Sequence, residues 1–322
     1  MAASILVPPH RSCGTPEVHH RLLENRAYQQ NRIEIERFSS QFMLWNAQNR
    51  RTQPITIPVV AHVVYANNTQ NISDAQVQSQ IVVLNRDYRA ANSDKANVPS
   101  VWANMPADAQ IQFALATTDP DGNPSNGITR TAAGASAFTT DDSVKSTATG
   151  GADPWPSDRF LNIWICNLGG GLLGYAQFPG GLAATDGVVI LYSAFGTIGV
   201  ATAPYNLGRT TTHEVGHWLN LIHIWGDRLD CSGTDLVDDT PPQQAPNYGK
   251  PAFPHLSCSN GPNGDMFMDF MDYVDDDTMI MFTPGQVSRM AATLDGPRAS
   301  IAGNIGGRLQ SPFSQSLNMV TA

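Results

Sequence analysis

Residues 213–227 read HEVGHWLNLIHIWGD, and the spacing of three histidines, one glutamate and one asparagine within this stretch decides the fold. On a helix, His213 and His217 lie one turn apart on the same face, so two imidazoles can grip one ion. Glu214 is rotated by one residue, which sets its carboxylate beside such an ion, where it can take a proton from a bound water. A third ligand, His223, reaches the same point only if the backbone breaks between 217 and 223. The break needs a residue at positive φ. Gly adopts it most readily, and Asn is among the few others that accept it. Asn220 is therefore the expected helix stop that turns His223 inward. Three imidazole nitrogens plus water make an open tetrahedral site of the kind catalytic zinc uses, whereas a structural zinc takes four protein ligands.

Outward from this helix the pattern is α/β. ITIPVVAHVVYA (55–66) is a β-branched run that reads as a buried strand, with His62 in a structural role. Ser73 and Gln76 form a capping box ahead of a helix carrying Val77, Ile81 and Leu84 at helical intervals. Further strands are expected at 111–117, 159–168 and 186–195, with GGGLLGYAQFPGG as a loop between the last two. From 224 to 284 the chain is rich in Asp, Pro and Gly and reads as irregular. A last helix starts at TPGQ, with Thr283 as N-cap and Pro284 in the first turn. Residues 17–50 have helical spacing and little β-branched content, which predicts a helical leader ending at Arg50-Arg51.

Composition narrows the class. Of 322 residues, 41% are hydrophobic and only 15% charged, with 27 Gly and 22 Pro, which favours a loop-rich globular protein over a helical bundle. The net charge of −9 argues against nucleic acid or an anionic membrane as partner. No apolar run approaches a membrane span, and the start MAASILVPPHRSCG lacks the positive region of a signal peptide. Four cysteines, Cys13, Cys166, Cys231 and Cys258, allow three complete pairings; the last two flank a loop-rich segment that a bridge would staple. Cys166, within an apolar strand, reads most simply as a buried free thiol.

HEVGHWLNLIH resembles the extended zinc motif of the metzincin metallopeptidases, and the IWGD that follows looks like the pappalysin branch. The usual metzincin residue at position 220 is Gly; pappalysin-like sequences accept Asn. Downstream, MFMDFMDYVDDD resembles the tight methionine turn of these families, with Met271 beneath the metal and Tyr273 as the tyrosine that steadies the oxyanion; a Met-rich core turn is the plainer alternative. The resemblance spans about 55–295. It implies a metzincin-like α/β catalytic domain, with a twisted mixed sheet and two long helices above an irregular lower subdomain. The expected division is a propeptide over 1–50 and a catalytic domain over 51–322, its upper part about 51–220 and its lower part about 221–322. It also implies a secreted zinc endopeptidase, made as a latent zymogen, acting on protein or peptide substrates. A non-catalytic zinc-binding recognition domain and a zinc amidase are the contrasting readings.

Finer expectations follow from the same resemblance. Asp276 matches an aspartate at the base of the pocket for the residue after the scissile bond, implying cleavage before Arg, then Lys; a solvated acidic loop is the alternative. Asp235, Asp238 and Thr240 in CSGTDLVDDT match a structural calcium site, whose hard cation needs oxygen ligands. Cys231–Cys258 matches one family disulfide, while Lys250 and Thr278 stand where a second would be. Cys13 in RSCG resembles the latency motif in which a propeptide thiolate takes the fourth zinc position, with the protein's own propeptide as partner; an incidental thiol or a pairing with Cys166 is the alternative. Self-release is then expected at Asn49-Arg50 or Arg50-Arg51, and residues 186–195 are expected to bind substrate as an added strand.

Overall fold

The computed structural model describes residues 7–46 and 53–303. The expected cleavage positions at 49–51 lie outside these residues. The leader, read as one helical stretch, is two helices, α1 (Thr15–Leu22) and α2 (Arg26–Asn46). The break has a local cause: the Asn25 side-chain oxygen accepts the N–H groups of Ala27 and Tyr28 at 2.8 and 3.2 Å, so Asn25 caps α2 and starts it afresh.

The β-branched run forms β1 (Ile55–Tyr65), buried over nearly its whole length. One edge of β1 pairs first with β2 (Ile111–Leu115) and then with β3 (Ile128–Ala132), both parallel; its other edge pairs with β4 (Leu161–Cys166). β5 (Gly174–Ala176) runs antiparallel against β6 (Val188–Leu191), which in turn lies parallel to β4. The six strands make a mixed sheet with β5 at one edge. Strands covered on both faces read as continuous apolar runs, as LNIWIC and VVIL do. His62 sits in this layer with its ring nitrogens 2.8 Å from Thr129 Oγ1 and 2.9 Å from Asn162 Oδ1, a satisfied core histidine.

The expectation that residues 186–195 add substrate as a strand is overturned by this topology. β6 ends at Leu191 and is already paired on both sides, by β4 and β5, and residues 192–194 coil into a short 3-10 turn. The free edge belongs to β5, inside the stretch read as a glycine loop. The leader already lies along it, with Leu173 N–H donating to Ser12 O and Gly14 N–H to Gly174 O, both at 2.9 Å.

α3 (Asp74–Asp87) opens with Ser73 accepting from Gln76 N–H, but the expected capping box is only half formed, because the Gln76 side chain reaches across to the carbonyls of Tyr192 and Phe195 and the N–H of Val200. α3 packs against α4 (Arg209–Trp218), and α4 against β5 and β6, so the zinc-motif helix is braced by the sheet edge. Below it the chain is irregular apart from β7 (Tyr248–Gly249), β8 (Tyr273–Val274) and the disulfide Cys231–Cys258. α5 (Pro284–Asp295) has Thr283 as its N-cap as expected, completed by Gln286 into a capping box, and lies along the leader helix α2. Among the described residues no helix is long and apolar enough to cross a membrane.

Candidate active site

α4 holds His213, Glu214 and His217, all buried, and ends where the sequence requires. Asn220 has φ +73°, and the two hydrogen bonds of the turn, Asn220 N–H to His217 O at 2.8 Å and Leu221 N–H to Gly216 O at 2.9 Å, reverse the chain. The reversal brings His223 back. Its Nε2 lies 3.2 Å from that of His213 and 3.0 Å from that of His217, which are 3.1 Å from each other. The other ring nitrogens all meet acceptors: Phe270 O at 2.7 Å for His213, Leu221 O at 2.8 Å for His217, and the Asp227 carboxylate at 2.5 Å for His223. With those positions holding the ring hydrogens, three Nε2 lone pairs converge on one point. Burial and the neighbouring imidazoles hold His213 and His217 well below their ordinary pKa, so these two rings are neutral. Converging lone pairs repel unless a cation sits among them. This donor set fits zinc.

The leader brings a thiol to the same point. Cys13 Sγ and the three imidazole nitrogens all lie within 4.8 Å of one another. The same sulfur is 3.3 Å from Glu214 Oε2, which also accepts from Thr15 Oγ1 at 3.0 Å. Burial and the Glu214 carboxylate push the Cys13 thiol up, so a thiolate here requires a cation beside it. Burial also lifts the Glu214 carboxyl to about 8.

Met271 packs directly against α4 at Gly216. A Cβ placed on Gly216 would stand 2.6 Å from Met271 Sδ, so the glycine of HEVGH is set by that close approach. Tyr273 is buried, with its ring 4.9 Å from His223 and 5.7 Å from His213, and Trp225 stacks on His223 at 4.3 Å. Asp276 is fully buried. Its Oδ2 accepts from Leu207 and Arg209 N–H at 2.7 and 3.3 Å and so caps α4, while its Oδ1 receives Arg11 Nη2 of the leader at 2.6 Å. Arg11 also donates through Nη1 to Thr210 Oγ1 at 3.0 Å and through Nε to Val274 O at 3.1 Å.

The lower loops bring together part of the expected calcium set. Asp235 is buried with the Thr240 hydroxyl 2.9 and 3.0 Å from its oxygens, but Asp238 faces solvent. Asp269 is fully buried and electrostatically coupled to Asp235, and its Oδ2 meets no donor. Where a second disulfide would stand, Lys250 pairs with Asp277, which also accepts from the Thr278 hydroxyl. Cys166 is a buried free cysteine.

Sequence reasoning missed Arg11, Thr15, Asp227 and Asp269. Arg11 stands two residues before Cys13, and Asp227 closes IWGD four residues after His223, and those spacings were the available signals; Thr15 and Asp269 act only through contacts made by folding.

The profile of a peptidase family described as pregnancy-associated plasma protein-A matches residues 142–295. An extracellular metalloprotease of Pyricularia oryzae is 31% identical over 299 residues, covering 90% of this chain and 90% of the relative. Another, from Arthroderma otae, is 32% identical over 307 residues, covering 92% and 95%. Among solved structures, a mutant of promirolysin from Tannerella forsythia is 46% identical, with a TM-score of 0.83, covering 92% of this chain and 100% of that one. Mature mirolysin in complex with a cleaved peptide is 51% identical, with a TM-score of 0.77, covering 80% of this chain and 100% of that one. The mixed sheet, the zinc-motif helix and these relatives together place the chain in the pregnancy-associated plasma protein-A (pappalysin) family of metalloendopeptidases.

Proposed function

We propose that the chain is the latent form of a zinc endopeptidase that cuts on the amino side of Arg, and of Lys second. The observation that carries this reading is the placement of two leader residues. Arg11 occupies Asp276 while Cys13, two residues on, meets the three histidines, so one short segment fills both a side-chain pocket and the metal corner. The guanidinium meets three acceptors, Asp276, Thr210 and Val274 O, with three different nitrogens. A lysine ammonium has one nitrogen to offer them, which supports Arg before Lys.

In this reading residues 1–50 are the propeptide and 51–322 the catalytic domain, with upper and lower parts dividing near 220. The relatives support the division, since the mature form covers 80% of the chain and the pro form 92%. His213, His217 and His223 would hold zinc, which supplies an acidified water and polarises the scissile carbonyl. Glu214, walled off from bulk solvent, would take the proton of that water and deliver it to the leaving amine. The Tyr273 phenol would donate to the oxyanion as it forms. The β5 edge would pair with the substrate backbone once the leader has gone. Secretion is supported by relatives that are named extracellular.

A structural calcium ion would sit at Asp235 and Thr240, with Asp238 on the exposed side of the same loop. The orphaned Asp269 oxygen supports a cation there, because a buried carboxylate lacking donors is costly unless a positive charge faces it.

The test is the profile of new N-termini released from a peptide library by the activated enzyme. Arg at the new terminus, then Lys, is the expected result, and loss of that preference in Asp276→Asn should accompany it. An aliphatic residue in that position would overturn the reading.

A further inference from the structure

The leader does more at the active site than present a thiol. Thr15 is 1% exposed and is the first residue of α1, whose N-cap, Gly14, makes no side-chain cap. As the first helical residue and not the cap, Thr15 has its hydroxyl available to partners outside its own helix. Here the hydroxyl is used elsewhere: Oγ1 donates to Glu214 Oε2 at 3.0 Å and accepts the Ala176 N–H of β5 at 2.8 Å. The Thr15 N–H points at Cys13 Sγ, 3.4 Å away. Gly14 between them is fixed by clearance, since a Cβ there would lie 2.6 Å from Thr140 Cγ2 and 3.2 Å from Tyr175 Cβ. The other side of the Glu214 carboxylate is closed by the sheet edge. A Cβ on Gly174 would be 3.0 Å from Oε1 and 2.8 Å from Cγ, so β5 already packs against it.

A carboxylate serving as general base needs one oxygen free to accept from the attacking water. Oε2 instead receives the Thr15 hydroxyl at 3.0 Å, with the Cys13 sulfur 3.3 Å away. We propose that Cys13-Gly14-Thr15 binds as a unit in which Thr15 blocks the base: the two contacts a catalytic water would make are divided between two side chains, sulfur at the histidines and hydroxyl at Glu214. The corner formed by Glu214 and the Ala176 N–H is thereby a hydroxyl-binding subsite, and a peptide carrying a thiol and, two residues later, a hydroxyl is the class of ligand it takes. This rests on the latency reading above and adds to it a second, metal-independent contact.

The experiment uses the full chain, zinc-loaded, as wild type, Thr15→Val, Thr15→Ser and Cys13→Ser. The readouts are the rate at which iodoacetamide alkylates Cys13 and the rate at which peptidase activity appears. Val keeps the shape and β-branching of Thr and removes only the hydroxyl. Loss of this buried hydrogen bond predicts an increase of about threefold to tenfold in both rates for Thr15→Val, with Thr15→Ser close to wild type. A merely structural effect is separated by repeating the alkylation in a Glu214→Ala background. There the Thr15→Val effect should lose most of its size, because its partner is gone. The proposal is overturned if Thr15→Val alkylates and activates as slowly as wild type, or if its effect persists undiminished beside Glu214→Ala. Should Thr15→Val fail to fold, the comparison of Thr15→Ala with Thr15→Ser carries the same two outcomes. Failure of the latency reading looks different: Cys13→Ser would then release no activity, and Cys13 of the wild type would alkylate as fast as an exposed thiol.

Discussion

Replacing Asn220 by Gly and by Ala separates the turn's backbone demand from its side-chain contacts. At φ +73° the residue sits in the left-handed region, and its carbonyl receives Arg289 Nε at 2.7 Å whatever the side chain. The Asn side chain adds little net: Nδ2 reaches Glu36 Oε1 at 3.2 Å, but Oδ1 is buried without a partner. Asn220→Gly gives up one such hydrogen bond, about 1 kcal/mol, and relieves both the orphan oxygen and the Cβ strain, so it should lie within about 1 kcal/mol of wild type. Asn220→Ala meets the left-handed penalty of roughly 1–2 kcal/mol, offset by about 0.4–1 kcal/mol from its stiffer unfolded chain. The alanine variant is thus expected to be about 1 kcal/mol less stable than the glycine variant, against the usual order of helix and loop propensities. Because the turn sets the Leu221 carbonyl that orients His217, part of the same cost should appear as weaker zinc binding, by up to about tenfold. Urea unfolding and zinc competition titrations on the full chain measure both quantities. Equal midpoints for the two variants, or a more stable alanine variant, would refute the reasoning.

Three more outcomes are expected. Asp227→Asn, which leaves an acceptor beside His223 but removes the charge, should weaken zinc binding by about tenfold to a hundredfold in a chelator competition; unchanged affinity would mean the carboxylate is incidental. Gly216→Ala drives a Cβ to 2.6 Å from Met271 Sδ and should cost about 1–3 kcal/mol in urea unfolding, much of it recovered by adding Met271→Ala; no recovery would place the strain elsewhere. His62 is held near 4 by burial against an ordinary value of 6.5, so the fold keeps it neutral while the unfolded chain gains a proton. Its contribution is therefore whole above pH 6.5 and is lost as the pH falls from 6.5 toward 4, by at most roughly 1.4 kcal/mol per unit; His62→Gln should flatten the stability profile in that window, and an unchanged slope would contradict the assignment.

What the sequence could reveal was set by how local each feature is. The α4 motif, the Asn220 turn and the caps at Ser73 and Thr283 depend on residues within a few positions, and all three appear as read, save the Gln76 half of the Ser73 box. β5 was hidden because only three of its residues pair, amid glycines that mimic a loop, while the longer run at 186–195 looked like the better edge. Edge or centre is a property of neighbours, and neighbours are long-range. The leader's grip was half legible. Cys13 carries a recognisable motif, but Arg11 and Thr15 gain meaning only beside Asp276 and Glu214, more than 190 residues away. The loop at 231–240 misled in one respect: neighbouring aspartates look alike in sequence, yet Asp235 is buried, Asp238 is exposed, and Asp239 accepts from Thr283 and Gly285 at the start of α5.

Zinc K-edge X-ray absorption on the full-length chain tests the central assignment most directly. One zinc per chain, with three nitrogens at about 2.0–2.1 Å and one sulfur at about 2.3 Å, is the predicted first shell. A protein that retains no zinc after purification in its presence, or a shell built from oxygens or from two sulfurs, would contradict the convergence of His213, His217, His223 and Cys13 on a single ion.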